Sequence, residues 1–143
     1  MATTYDTIYN RALNKITDFE LANLPARDLE EMLHDWLVSA IAKFRKCKSD
    51  LKDRDEELRQ FNVDLEDEEI EILAIMIVRE HLAPQLHSTL LYKQIFSGKE
   101  QNYYSQSAHA KELRELDNSL KIEAQKLMRD YTYSNDLKGY FNT

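Results

Sequence analysis

The four histidines are the side chains in this sequence best suited to bind zinc or to transfer protons near neutral pH. His81 and His87 lie on either side of Pro84, whereas a zinc-binding pair on one helix is spaced i, i+4. The other two, His34 and His109, have no cysteine or second histidine at the spacing of a metal site. We therefore expect structural histidines and no metal site.

The remaining reactive groups also lack the neighbours that catalysis requires. Asp53, Asp55 and Glu57 alternate as the ligands of a calcium-binding loop do, but the glycine and the final glutamate of that loop are absent. Cys47, the only cysteine, follows a basic run without an evident catalytic base. With only two glycines, the chain cannot form a glycine-rich phosphate loop. The sequence predicts a protein that is not an enzyme and that uses no cofactor.

Composition restricts the class of partner. The net charge is −7, and the densest group of basic residues, at positions 43–48, is followed at once by the acidic residues of segment 50–57. Tight binding to nucleic acid, which requires a basic surface, is therefore not expected. Segment 70–78 is the longest apolar stretch and is too short to span a bilayer, and residues 1–10 lack a signal-peptide pattern. We expect an intracellular protein without a membrane anchor.

The spacing of apolar residues predicts the elements that must position these groups. The 143 residues suit one domain, and two glycines with two prolines favour long helices with few turns. Apolar residues recur at helical spacing in segments 5–16, 26–46, 67–83, 88–96 and 105–131. Pro84 should end or kink the third and most apolar helix, and Ser105 should cap the last. The predicted fold class is all-α, a single bundle of about five helices with a long C-terminal helix.

Two segments fall outside the helical pattern. Phe61, Val63 and Leu65 alternate with polar residues, which predicts a short extended segment, either one strand of a hairpin or an inter-subunit contact. Residues 132–143 are expected to form an extended C-terminal tail after a helical domain of residues 1–131. Exposed aromatic and aliphatic residues favour partner binding in this tail and at the last helical residue before it. The predicted docking residues are Tyr131, Tyr133, Leu137, Tyr140 and Phe141. The alternative is a tail that folds back on its own bundle.

Most of the chain resembles the head–tail connector (adaptor or neck) proteins of tailed bacteriophages, of the type found in phages of Gram-positive bacteria. The resemblance covers Leu65 to Asn135, LEDEEIEILAIMIVREHLAPQLHSTLLYKQIFSGKEQNYYSQSAHAKELRELDNSLKIEAQKLMRDYTYSN. It extends upstream over Ala40 to Leu65, AIAKFRKCKSDLKDRDEELRQFNVDL. The likeness is one of the whole sequence, without a short diagnostic motif.

The resemblance implies a structural virion protein that is assembled in the host cytoplasm. Such proteins form a homo-oligomeric ring, usually of twelve copies, beneath the portal protein at the capsid vertex. The ring extends the DNA channel and provides a docking platform for the next neck component, a stopper or tail-completion protein. The family has no catalytic residue to carry over. Its C-terminal segments dock into the portal, and only the predicted tail of this chain matches that role by position and composition.

Acidic residues suit the wall of a DNA channel because like charges repel phosphates and let DNA pass without specific binding. The candidates for this lining, besides the acidic cluster of segment 50–57, are Asp64, Glu66, Asp67 and Glu68. A closed ring also needs two different complementary patches on each subunit. The alternative function is a small helical regulatory protein, of the anti-repressor or inhibitor type, that binds one host or phage protein. It predicts a monomer or dimer with no affinity for a portal.

Overall fold

The computed structural model describes residues 2–16, 23–95 and 100–141, and within them the side chains of residues 2–16, 23–87, 108 and 111–134. These ranges contain four helices, α1 (Tyr5–Leu13), α2 (Ala26–Lys43), α3 (Asp67–Ile95) and α4 (Glu100–Phe141). They also contain three two-residue strands, β1 (Thr3–Thr4), β2 (Arg54–Asp55) and β3 (Gln60–Phe61). The chain is about 70% helical, which is consistent with the predicted all-α class.

The first half of α3 is the centre of the core. Residues 72–78 are all buried, as the nearly continuous apolar run predicted. The helix packs against α1, α2 and α4, so its side chains find apolar partners on every side. Each aliphatic side chain that is fully buried in this way contributes about 1.5–3 kcal/mol.

Helix α3 runs through Pro84, so of the two predicted outcomes, an end or a kink, the end is wrong. A proline inside a helix removes one backbone N–H and costs about 3 kcal/mol. Packing on both sides offsets that cost, since Leu82 is buried and Leu86 is half-buried against the core. The predicted separate helix of residues 88–96 is the continuation of α3 as far as Ile95, and residue 96 lies outside the described residues.

Helix α4 is longer at both ends than the predicted segment 105–131. Ser105, expected as a cap, lies inside the helix, and the helix continues to Phe141. The prediction of an extended tail is therefore wrong for residues 132–141. No proline follows Pro84, and a helix already fixed by packing propagates at one hydrogen bond per residue. The residues that fix it are Leu113, Leu120, Ala124 and Tyr131, all of them buried.

Helices α1 and α2 each end three residues earlier than predicted, at Leu13 and Lys43. After α2, Phe44 leaves the helical region with φ −92° and ψ 66°, and its side chain is only 3% exposed. Burial of this ring turns the chain into the core. Apolar residues at helical spacing continue beyond Lys43, but the backbone leaves the helical conformation there.

The predicted extended segment contributes β3, the central strand of an antiparallel sheet in the order β1–β3–β2. Phe61 of β3 pairs with Thr3 of β1 and with Arg54 of β2, so the hairpin alternative is confirmed. Phe61 and Leu65 are buried in the core, and Val63 is half-buried against it. Phe61 and Leu65, which were predicted as an inter-subunit contact, thus cover the protein's own helices with their apolar side chains.

The turn between β2 and β3 is held in one conformation. Arg59 has a left-handed backbone, with φ 54°, and its carbonyl accepts the Tyr5 N–H at 2.9 Å. The Asp55 carboxylate accepts the backbone N–H groups of Glu57 and Leu58, at 2.9 Å and 3.1 Å. These bonds leave the side chain of Leu58 at the tip of the turn, 65% exposed.

Candidate functional site

Glu69 is a carboxylate in the core, only 1% exposed, and five donors surround it. It is the third residue of α3, from which it bends back to accept the Glu66 N–H at 2.8 Å, as in a capping box. Ser49 donates its hydroxyl at 2.9 Å and its N–H at 3.3 Å. The Cys47 thiol and the Tyr131 hydroxyl donate at 2.9 Å and 2.8 Å. We call these five residues the Glu69 cluster.

The Glu69 cluster joins three parts of the chain that are distant in sequence: the loop after α2, the start of α3 and the C-terminal third of α4. The Tyr131 hydroxyl donates to Glu69 and accepts the Lys48 N–H at 2.9 Å, so it bridges α3 and the loop. The Tyr131 ring packs edge-on against Phe44, with centroids 5.6 Å apart. Tyr131 is 2% exposed, so the residue predicted to dock a partner belongs to the core.

The pKa values in this cluster follow from burial and from the shared carboxylate. Burial by itself raises the pKa of Glu69, but the hydrogen bonds from Cys47, Glu66, Tyr131 and Ser49 outweigh it, so the pKa lies below its usual value. Burial and the adjacent carboxylate raise the pKa of Cys47 to about 12. A reactive cysteine requires a lowered pKa, so Cys47 acts as a hydrogen-bond donor and not as a nucleophile.

Glu56 is the centre of a second cluster, at the surface, which we call the Glu56 cluster. Its carboxylate accepts the Tyr5 hydroxyl at 2.9 Å and Arg54 Nε at 2.8 Å, and it contacts His34 Nε2 at 2.5 Å. The side chain of Glu56 is 48% exposed. The cluster fastens the β2–β3 hairpin to α1 and α2.

A histidine, a carboxylate and a tyrosine in contact could in principle transfer protons. Burial by itself raises the pKa of Glu56. The hydrogen bonds from Arg54, His34 and Tyr5 lower it by more, so the pKa is about 2. Burial and the hydrogen bond to Glu56 raise the pKa of Tyr5 to about 12. Near neutral pH the carboxylate therefore stays charged and the phenol stays protonated, which suits a structural hydrogen bond better than proton transfer.

The other histidines have different surroundings. His81 is buried and lies against the Trp36 ring, with centroids 5.1 Å apart, so packing accounts for it. His87 is exposed, and the side chain of His109 lies outside the described residues. Within the described residues, no three or more His, Cys, Asp or Glu side chains come together as metal ligands. No helix in the described part of the chain is long and apolar enough to span a membrane.

A cleft of about 340 Å³ lies where the end of α2 meets α3 and α4. Two ion pairs line it, Lys43 with Glu80 and Arg79 with Asp117, the latter at 3.0 Å. Each cation is matched by a carboxylate, so the cleft offers little net charge to an ionic ligand. These pairs hold α3 against its neighbours.

A shallow groove of about 430 Å³ lies between α4 and the segment that follows α2. Its lining, which we call the α4 groove, comprises Lys46, Gln125, Met128, Arg129, Thr132 and Tyr133. Apolar surface from Met128 and from Tyr133, which is 66% exposed, lies between two cationic side chains. None of the described residues that line this groove is acidic, although the chain as a whole is acidic.

The remaining predicted site residues have mixed placements. The acidic candidates Asp64, Glu66, Asp67 and Glu68 are all exposed, at or just before the start of α3. Leu137, Tyr140 and Phe141 belong to α4, and their side chains lie outside the described residues. The structure therefore brings Tyr131 into the core and keeps Tyr133 on the surface, and these two are the predicted docking residues whose side chains are described.

Sequence reasoning missed both clusters. Glu69 had a usable signal, because a glutamate at the third position of a helix is placed to bond back to the N-cap residue. Glu56 had none, since its partner Tyr5 is 51 residues away and its partner His34 is 22 residues away. Only the folded chain brings such groups together.

Comparisons with protein-family models, with curated proteins and with solved structures give no match to this chain. Function is therefore inferred from its residues and from their geometry.

Proposed function

We propose that this chain is a structural virion protein, a head–tail connector of a tailed bacteriophage. It forms a ring of twelve copies below the portal protein, at the neck of the virion. The ring extends the DNA channel and carries the stopper or tail-completion protein. It acts as a scaffold, without enzymatic activity and without a cofactor. One support is the resemblance over residues 40–135. The other is that the Glu69 and Glu56 clusters form hydrogen bonds between distant parts of the same chain, as structural contacts do.

The observation that carries the proposal is the continuation of α4 beyond Tyr131, the last buried residue among the described side chains of this helix. The helix continues for ten further residues to Phe141. Positions 133, 137, 140 and 141 have the i, i+4, i+7, i+8 spacing of one helix face. An apolar helix face of this kind docks into a groove of a partner. We therefore replace the extended tail by a helical segment as the part that binds the portal.

The acidic surface suits the proposed channel. The side chains of Asp64, Glu66, Asp67 and Glu68 are exposed, as channel-lining residues must be. Arg11 partly neutralises this surface, since it lies 4.0 Å from the Asp67 carboxylate. Like-charged walls of this kind repel DNA phosphates, so DNA passes without a specific contact.

The decisive experiment compares two variants for binding to the portal protein of the same phage. Deletion of residues 135–143 removes Leu137, Tyr140 and Phe141 but keeps Tyr131 and Tyr133. The matched control is Leu116→Ser, which alters another exposed apolar residue of α4. We expect the deletion to remain helical by circular dichroism and to lose portal binding, whereas Leu116→Ser binds normally. Electron microscopy of the wild-type complex should show a ring on the portal axis.

Two results would reject the proposal. One is absence of the protein from purified virions. The other is a monomer or dimer, by light scattering, that does not bind the portal in a pull-down, which would favour the regulatory alternative.

A further inference from the structure

We propose that Leu58 and Glu57 of one subunit dock into the α4 groove of the next, so that copies of this chain associate head to tail. The proposal rests on the proposed function for the closure of such contacts into a ring. It names the partner surface that the ring requires, and it shares with the segment assigned to the portal only Thr132 and Tyr133, at the edge of the groove.

The β2–β3 turn has the properties of a rigid knob. Leu58 is 65% exposed at its tip, and the neighbouring Glu57 is exposed without an ion pair to a described residue. The Asp55 carboxylate fixes the turn through the backbone N–H groups that it accepts. Glu56 fixes it through its contacts with Tyr5 and His34. An apolar side chain that is already held in place loses little conformational entropy on binding.

The α4 groove has the complementary properties. Met128 and Tyr133 provide apolar surface for an aliphatic side chain, and Lys46 and Arg129 provide positive charge for a carboxylate. Neither cation forms an ion pair with a described residue. Complementary charges of this kind fix the register of an interface as well as its partner.

The knob and the groove cannot meet within one subunit. The knob is fastened to the first half of α2, where Glu56 contacts His34 and Arg59 lies 3.9 Å from Glu30. The groove includes Lys46, just beyond the end of α2 at Lys43. At a rise of 1.5 Å per residue, the interval from Glu30 to Lys43 spans about 20 Å. Two complementary surfaces that lie at different levels along one helix produce a heterologous contact, which closes into a ring or continues as a filament.

Disulfide cross-linking tests the contact directly in the full-length chain. Leu58→Cys and Gln125→Cys are prepared as separate variants, mixed and oxidised. Cys47 remains in place, and because both mixtures contain it, a cross-link through its thiol would appear equally in the two. The control mixture pairs Leu58→Cys with Leu116→Cys, which lies on α4 outside the groove. We expect the mixed dimer in clear excess for Leu58 with Gln125, and equal yields in the two mixtures would overturn the proposal.

Charge exchange tests the polar half of the contact. By sedimentation equilibrium, Glu57→Arg and Arg129→Glu should each weaken self-association about tenfold, and the double variant should restore it. Glu123→Arg, an equal charge change at another exposed position, should leave it unchanged. A wild-type chain that stays monomeric at every concentration, or a double variant that is not restored, would overturn the contact.

The two proposals fail separately. A chain that forms the Leu58 cross-link but is absent from virions rejects the neck function and keeps the contact. A ring on the portal that lacks the cross-link keeps the neck function and rejects the contact between Leu58 and the α4 groove.

Discussion

Glu69 and Glu56 form the same chemical contact in two different environments. Each carboxylate accepts a tyrosine hydroxyl, from Tyr131 at 2.8 Å and from Tyr5 at 2.9 Å. Glu69 is 1% exposed and has only protein donors around it, whereas the Glu56 side chain is 48% exposed and is also solvated. Removal of a buried partner leaves the others unsatisfied, but water replaces a partner at the surface. The same hydrogen bond should therefore contribute far more to stability in the core.

The largest expected effect is the loss of the buried carboxylate. Glu69→Ala leaves the Cys47, Ser49, Glu66 and Tyr131 donors without their acceptor, so we expect the free energy of unfolding to fall by about 4 kcal/mol. The matched variant Glu56→Ala should cost below about 1 kcal/mol, because solvent screens an exposed cluster. Urea unfolding followed by circular dichroism measures both. Equal losses would show that burial does not separate the two clusters.

The tyrosines should differ in the same direction by a smaller amount. Tyr131→Phe keeps the ring against Phe44 but removes the hydroxyl between Glu69 and the Lys48 N–H, which should cost about 2 kcal/mol. Tyr5→Phe should cost about 0.5–1 kcal/mol, since Arg54 and His34 still donate to Glu56. Chemical denaturation of the two variants beside the wild type measures the difference. A Tyr131→Phe variant no less stable than Tyr5→Phe would contradict this expectation.

Acid should weaken the core cluster. The pKa of Glu69 is lower in the folded chain than its usual value of 4.5, so its contribution is present above that pH and is lost as the pH falls through the folded value. In Glu69→Gln this part of the pH dependence should disappear, and stability should fall less steeply below about pH 4.5. Thermal unfolding over a pH series provides the measurement. Parallel curves for variant and wild type would assign the acid sensitivity to other groups.

The smallest effect should come from the surface carboxylate on acidification. The pKa of Glu56 falls from 4.5 to about 2, so its contribution is lost between those two pH values. Solvent reduces that contribution to below about 1 kcal/mol. Glu56→Gln should therefore change the same pH series only slightly, and a larger change than that of Glu69→Gln would reverse the ranking of the clusters.

The sequence predicted the parts of this fold that depend on local pattern. The apolar run of α3, the start of α2 at Ala26 and the hairpin alternative for Phe61 were all found by spacing. Helix ends were less predictable, because Pro84 and Phe44 were decided by packing against other elements. Helix α3 continues through Pro84, although proline disfavours a helix more than any other residue, whereas α2 ends just before Phe44.

The candidate sites were less predictable than the fold, for a related reason. A tyrosine near the end of the chain suggested an exposed docking residue, yet Tyr131 contacts Glu69, 62 residues earlier. Leu58 passed unnoticed because a lone leucine in a charged segment has no periodicity, and its exposure depends on the turn that holds it. Spacing identifies the face of an element but not what covers that face.

The helical state of residues 132–141 limits the distance from the core at which a partner can bind this segment. Ten residues rise about 15 Å as an α-helix, but the same ten would reach about 33 Å if fully extended. A protein that recognises this segment must therefore approach to within about 15 Å of Tyr131 along the helix axis. A spacer of four added residues, close to one helical turn, would move the contact outward by about 6 Å and rotate it by about 40°.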